Sequence, residues 1–63
     1  RLSMETLMTT YYILVDSPES GESMIGVCDD RMTAEARAMD EYARLGYPVI
    51  VYDSRGEIVM ECA

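Results

Sequence analysis

Apolar and polar residues follow their clearest pattern over residues 47–62, where two apolar runs flank the polar stretch Asp53-Ser54-Arg55-Gly56. This pattern predicts a β-hairpin whose loop consists of residues 54–56. Such a loop suits a type I turn closed by a glycine at positive φ, which Gly56 supplies. The carboxylate of Asp53, at the first position of the turn, is expected to accept hydrogen bonds from N–H groups of the turn.

The register of the hairpin decides which side chains share a face. If Asp53 faces Glu57 and the pairing continues without interruption, alternate side chains lie on opposite faces of the sheet. One face then carries Ile50, Tyr52, Ile58, Met60 and Cys62. The other face is a strip of valines bordered by acids, and it consists of Val49, Val51, Asp53, Glu57, Val59 and Glu61. We expect a helix to cover the first face and the second face to stay exposed.

Two further strands are predicted in the first half of the chain. Residues 9–15 are rich in β-forming side chains and apolar on both faces, which is typical of a strand inside a sheet. Residues 23–28 form the second strand, in which Gly26 is expected to mark a bulge or a crowded crossing. Residues 1–8 mix apolar and polar side chains, and we expect a loosely ordered N-terminal segment there.

A helix is predicted over residues 31–45, because apolar residues recur there at spacings of three and four. Either Asp30 or Thr33 can cap its start. Gly46 suits the left-handed position after its end, and Pro48 prevents the helix from continuing. The predicted apolar stripe consists of Met32, Ala36, Met39, Tyr42 and Ala43.

The predicted fold is α+β: a β-β-α-β-β chain with a four-stranded antiparallel sheet in the order 2-1-3-4 and one helix packed on one face. Residues 9–63 form a single domain in this prediction. Tyr42 and Tyr52 are expected in the core beneath the helix. The opposite face stays open to a partner, and it receives from the first strand either Tyr11, Ile13 and Val15 or else Tyr12 and Leu14.

Composition adds a strong negative charge to this picture. The 63 residues carry a formal net charge of −7, from twelve acids against five basic residues that are all arginines. This charge disfavours direct binding to nucleic acid or to an anionic membrane, and it suits a basic protein partner. On the helix, Asp40 and Arg44 have the i,i+4 spacing of an ion pair. No apolar run approaches the ~20 residues of a membrane span, and we expect a cytoplasmic protein of a bacterium or of a phage-infected host.

Reactive groups are few. The chain contains no histidine and no lysine, which are the commonest general base and the usual Schiff-base nucleophile, so we expect no enzymatic activity. The acids are expected to cap turns and the helix start, and no metal or cofactor site is predicted. Cys28 and Cys62 are expected to be buried free thiols, with a disulfide and a reactive thiol as the alternatives.

Three structural features carry a resemblance to known proteins: the helix opening Thr33-Ala34-Glu35-Ala36, the helix end at Gly46 and the turn Asp53-Ser54-Arg55-Gly56. With these features the chain resembles the short β-β-α-β-β domains of bacteria and their phages. In size, charge and mixed topology it is similar to small acidic phage proteins that include anti-CRISPR inhibitors. This similarity is one of type and not of motif, and it transfers no catalytic or binding residue.

These observations lead to one expected function and one alternative. We expect a small interaction module that binds another protein, basic or nucleic-acid-binding, through its open sheet face. In its narrower form the protein is an inhibitor whose carboxylates imitate phosphates at the basic site of a nucleic-acid-handling protein. The alternative is a structural homodimer that uses the open face as its interface. The predicted protein-binding residues are Val49, Val51, Asp53, Glu57, Val59, Glu61 and Tyr11.

Overall fold

The computed structural model describes residues 9–63, which form one four-stranded antiparallel sheet with a single helix on one side. The strand order is β2-β1-β3-β4, so the predicted α+β fold and its strand order are confirmed. The segment 1–8 lies outside the described residues. The elements are β1 Tyr11–Ser17, β2 Gly21–Cys28, α1 Arg31–Leu45, β3 Val49–Asp53 and β4 Ile58–Cys62.

The first hairpin is longer than its composition predicts. The predicted strands end at residue 15 and begin at residue 23, but β1 continues to Ser17 and β2 begins at Gly21, so only residues 18–20 form the turn. Gly21 adopts a φ of 72°, a left-handed conformation that costs glycine little. The hydroxyls of Ser17 and Ser20 lie 2.8 Å apart and brace the turn. The residues that stabilise the turn are Ser17, Ser20 and Gly21, so the polar residues Asp16 and Glu22 belong to the strands.

Both ends of α1 are capped within the chain. Asp30 is the N-cap, and its carboxylate accepts hydrogen bonds from the backbone N–H and the hydroxyl of Thr33, each at 2.8 Å. The N–H of Thr33 is the main cause that lowers the pKa of Asp30. At the other end, the N–H of Gly46 donates to the carbonyl oxygen of Tyr42 at 2.9 Å with φ at 78°.

The core lies between the helix and one face of the sheet. The helix approaches closely because Ala34 and Ala38, both fully buried, present only methyl groups to the strands. Tyr42 and Leu45 complete the packed side of the helix. The buried cluster consists of Ile13, Val15, Ala34, Ala38, Val49 and Val51.

The predicted helix stripe is therefore wrong except for Tyr42. The exposed fractions of Met32 and Met39 are 78% and 56%, and Ala36 and Ala43 are also exposed. The helix carries two apolar stripes of similar spacing, and the stripe that faces the sheet consists of Ala34, Ala38, Tyr42 and Leu45. The two alanines let the helix lie close to the β-branched residues beneath it.

The helix also contacts β2 at Gly26, where the sequence predicts a bulge or a crowded crossing. A Cβ atom at Gly26 would lie 3.2 Å from Cδ1 of Ile13 and 3.4 Å from Nη1 of Arg37. The guanidinium of Arg37 passes over this point and donates to the carbonyl oxygen of Ile25 at 3.1 Å. The pairing of β1 with β2 shifts at Ile25, which is a β-bulge. Both readings of Gly26 are thus confirmed: the crossing is crowded, and a bulge adjoins it.

Ion pairs on the helix differ in one respect from the prediction. Arg44 pairs with Glu41 rather than with Asp40. Glu41 also receives Arg37 at 3.4 Å, and the two arginines lower the pKa of Glu41, with the hydrogen bond from Arg44 as the main cause. Glu41 is preferred because it lies at the half-buried margin of the helix, between both guanidinium groups.

Candidate functional site

The β3–β4 turn is built as the sequence predicts. The N–H of Asp53 donates to the carbonyl oxygen of Glu57 at 2.9 Å, and Gly56 adopts a φ of 86°. Oδ1 of Asp53 accepts from the N–H of Glu57 at 3.0 Å and from the N–H of Arg55 at 2.9 Å. These two hydrogen bonds, the one from Glu57 first, lower the pKa of Asp53. The side chain of Asp53 is therefore committed to its own turn.

Beyond the turn, the predicted register holds for one pair only. Tyr52 faces Ile58 as expected, but Val51 then faces Met60, and Ile50 faces Glu61. The shift is a β-bulge in β4, where Val59 is the additional residue. The sequence predicts an uninterrupted pairing, which is wrong, because a single inserted residue moves every later side chain of β4 to the other face.

The assignment of faces is also wrong for most of the predicted site. Val49 and Val51 are fully buried against the helix side, and Val59 packs against the same core. Tyr11 pairs with Asp53 on that side and also packs against the core. Glu57 belongs to the turn, where Arg55 lies 3.7 Å away. The compact valines fit beneath a helix of alanines, so the larger residues between them lie on the opposite face. Of the seven predicted residues, only Glu61 lies there, opposite Ile50.

The face opposite the helix carries two rows of side chains that cross all four strands. Within residues 9–63 the only helix packs on the other side, so no second layer covers these rows. The row nearer the β3–β4 turn consists of Val27, Tyr12, Tyr52 and Ile58. The next row consists of Met24, Leu14, Ile50 and Glu61. We call the seven apolar residues of these two rows the open face.

Exposure on the open face rises from its centre to its edges. Ile50, on a central strand, is only 7% exposed. On the edge strands, Met24, Val27 and Ile58 are 60%, 54% and 56% exposed. Tyr12 and Tyr52 are half-buried. The surface is thus apolar, firmly packed in the middle and accessible at both margins.

Acids border one end of the open face. Asp16 on β1 pairs with Glu22 on β2 just beyond the second row, and both are exposed. Glu61, also exposed, ends the second row on β4, the opposite edge strand. Among residues 9–63, the arginines form their ion pairs on the helix and at the β3–β4 turn, with Glu35, Glu41, Asp53 and Glu57. None of those ion pairs includes Asp16, Glu22 or Glu61. The charge at this border is therefore negative and uncompensated by the described arginines.

The residues that the sequence interpretation missed had a usable signal. The sequence leaves two alternatives for the side chains of β1 on the open face. Because Ile50 and Tyr52 of β3 lie on that face, their partners Leu14 and Tyr12 lie there too. Tyr52, predicted in the core, lies on the open face directly opposite Tyr12, whereas Tyr42 does contact the core. Alanines at the helix–sheet contact favour small β-branched partners, so Val49 and Val51 could have been assigned to the helix side on size.

The remaining chemistry concerns thiols and metal ligands. Cys28 and Cys62 are free and half-buried, on the two opposite edge strands of the sheet. Among residues 9–63, no three side chains of the metal-binding types converge. None of the helical structure described reaches the length and apolarity required to cross a membrane. No protein-family model, no curated protein and no solved structure matches the chain.

Proposed function

We propose that this protein is a non-enzymatic interaction module that binds a basic surface of another protein through its open face. The observation that supports the proposal is the open face itself, which consists of two largely apolar rows across the sheet with Asp16, Glu22 and Glu61 at its border. Apolar patches with a polar rim are typical of protein-binding sites, and tyrosine is enriched at the centres of interfaces.

The charge of the border favours a basic partner over a second copy of the chain at this face. The exposed carboxylates of Asp16, Glu22 and Glu61 are complementary to a partner that supplies cations. A second copy would add the same three carboxylates, and the arginines of residues 31–55 are held on other surfaces. The homodimer through the open face is therefore the weaker alternative.

The narrower form of the proposal concerns the kind of basic surface. Carboxylates that line a strip of apolar surface can occupy a site that otherwise holds phosphates, because both present oxygen acceptors to arginine and lysine. On this proposal the protein acts as an inhibitor of a nucleic-acid-handling protein, a role found among the small acidic phage proteins to which it is similar in size and charge. Its charge of −7 would then accelerate association at low salt.

The experiment is affinity capture followed by titration calorimetry with the captured protein and matched variants. The test variant is Met24→Lys, on the open face, and the control variant is Met39→Lys, on the helix. The two methionines are similarly exposed, at 60% and 56%. We expect Met24→Lys to weaken binding about tenfold or more and Met39→Lys to leave it unchanged. Equal effects of the two variants would contradict the assignment of the surface.

A second pair of variants tests the acids. Glu22→Gln/Glu61→Gln removes two charges from the border, whereas Asp29→Asn/Asp40→Asn removes two exposed charges elsewhere. We expect the first variant to lose more affinity and to show a weaker dependence on salt. Binding that does not change between about 0.05 M and about 0.5 M salt would refute the charge-based part of the proposal.

A further inference from the structure

The solvent-facing side of α1 carries an apolar stripe that the proposed function does not use. The stripe has the 4-3-4 spacing of a coiled-coil seam, and all of its members are exposed. Large and small side chains alternate along it. We call it the methionine stripe, and it consists of Met32, Ala36, Met39 and Ala43.

We propose that the methionine stripe is a self-association surface, on which a second copy of this chain packs its own α1 in the antiparallel direction. With a two-fold axis between Arg37 and Ala38, Met32 lies level with Ala43 of the second copy, and Ala36 with Met39 of the second copy. Each layer then joins one methionine to one alanine, so the surface is complementary to itself. Methionine adapts to such gaps because its side chain is unbranched and flexible.

The charges of the helix support this occupant. α1 contains three arginines and three acids, so it is locally neutral, although the chain carries −7. Arg31 pairs with Glu35 at 2.9 Å, and Arg37 and Arg44 both pair with Glu41. A second copy therefore meets no net charge of its own sign at this surface, in contrast to the acidic border of the open face.

The positions beside the stripe select the antiparallel direction. Glu35 and Asp40 flank the seam on its two sides. In a parallel pair, Glu35 of each copy would face Asp40 of the other, and like charges at these positions oppose association. In the antiparallel pair, Glu35 of one copy and Asp40 of the other lie on opposite sides of the seam, so these like charges do not face each other.

Self-association through the helix leaves the open face free, because the two surfaces lie on opposite sides of the molecule. The dimer would present two open faces, and a partner with two basic sites would bind it more tightly than the monomer. The salt dependences of the two surfaces are opposite. Salt weakens binding of a basic partner, but it strengthens the dimer because it screens the repulsion between two molecules of charge −7.

The test is sedimentation velocity on the full 63-residue chain up to about 1 mM, at about 0.05 M and about 0.5 M salt. Met39→Glu and Met24→Glu add the same charge at methionines of similar exposure, one on the stripe and one on the open face. We expect a monomer–dimer equilibrium that is stronger at high salt, weakened about tenfold or more by Met39→Glu and retained by Met24→Glu. Circular dichroism confirms that each variant is folded.

Two results would overturn the proposal. One is a monomer throughout the concentration range at high salt. The other is a dimer that Met39→Glu leaves intact. If Met24→Glu abolishes that dimer, self-association belongs to the open face, which would also contradict the proposed use of that face for a basic partner.

Discussion

Tyr12 of β1 and Tyr52 of β3 are direct cross-strand partners at the centre of the open face. Val27 and Ile58 extend the same row onto the edge strands, so each ring lies between its partner and an aliphatic side chain. Directly opposed aromatic side chains stabilise an antiparallel pair and hold each other's rings in place. The pair therefore offers a partner a large apolar surface that loses little conformational entropy on binding.

The first prediction concerns this pair. Tyr12→Ala and Tyr52→Ala should each reduce the free energy of binding to the captured partner by about 2 kcal/mol, the size of effect found at central interface tyrosines. Tyr47→Ala is the control, because Tyr47 is 37% exposed and lies outside the sheet. Titration calorimetry on folded variants measures the difference. If Tyr47→Ala costs as much as Tyr12→Ala, the centre of the interface is not on the open face.

The second prediction tests which valines form the core. Val51→Ala removes two methyl groups from a fully buried site and should lower the free energy of unfolding by about 2 kcal/mol. Val27→Ala makes the same change at a site that is 54% exposed, and its effect should stay within about 0.5 kcal/mol. Urea denaturation of both variants gives the comparison. Equal losses would mean that Val51 and Val27 share one environment.

These valines also show what the sequence can and cannot predict here. The strands, the helix from residue 31 to residue 45 and the strand order follow from periodicity, caps and turn residues, which act locally. The side of β3 that meets the helix does not follow from the local sequence. The side chains of this strand are all compatible with either face, and they are Val49, Ile50, Val51 and Tyr52. That choice depends on packing against Ala34 and Ala38, which are far away along the chain.

The site was harder to predict than the fold because two local irregularities control it. The bulge at Val59 shifts β4 by one residue, and nothing in the composition of residues 58–62 marks it. Glu61 reaches the open face only through that shift combined with the parity of β3. The predicted register of β4 and the predicted side of β3 are both wrong, and for Glu61 the two errors cancel. The other six predicted residues lie on the helix side or in the turn.

The third prediction concerns the distance between helix and sheet. Ala38→Leu places three additional carbons in a fully buried contact and should destabilise the fold by about 1–3 kcal/mol. Ala36→Leu makes the same change on the exposed side of the same helix and should be nearly neutral. Thermal denaturation at low micromolar concentration compares the two without contributions from self-association. A neutral Ala38→Leu would mean that the helix does not lie on the sheet through its alanines.

The last prediction concerns pH and the β3–β4 turn. The pKa of Asp53 is lowered from its ordinary value of 3.8, mainly by the N–H of Glu57 and then by that of Arg55. The folded protein therefore holds this proton less tightly than the unfolded chain does. The stabilisation is complete above about pH 4 to 5 and is lost as the pH falls through the lowered pKa of the folded state.

Asp53→Asn, which keeps an acceptor oxygen but no charge, should make the free energy of unfolding less dependent on pH in this range. Urea denaturation from pH 2 to pH 6, with NMR titration of the Asp53 carboxyl group, measures both quantities, and a midpoint at or above 3.8 would show that the turn does not hold the carboxylate through these N–H groups.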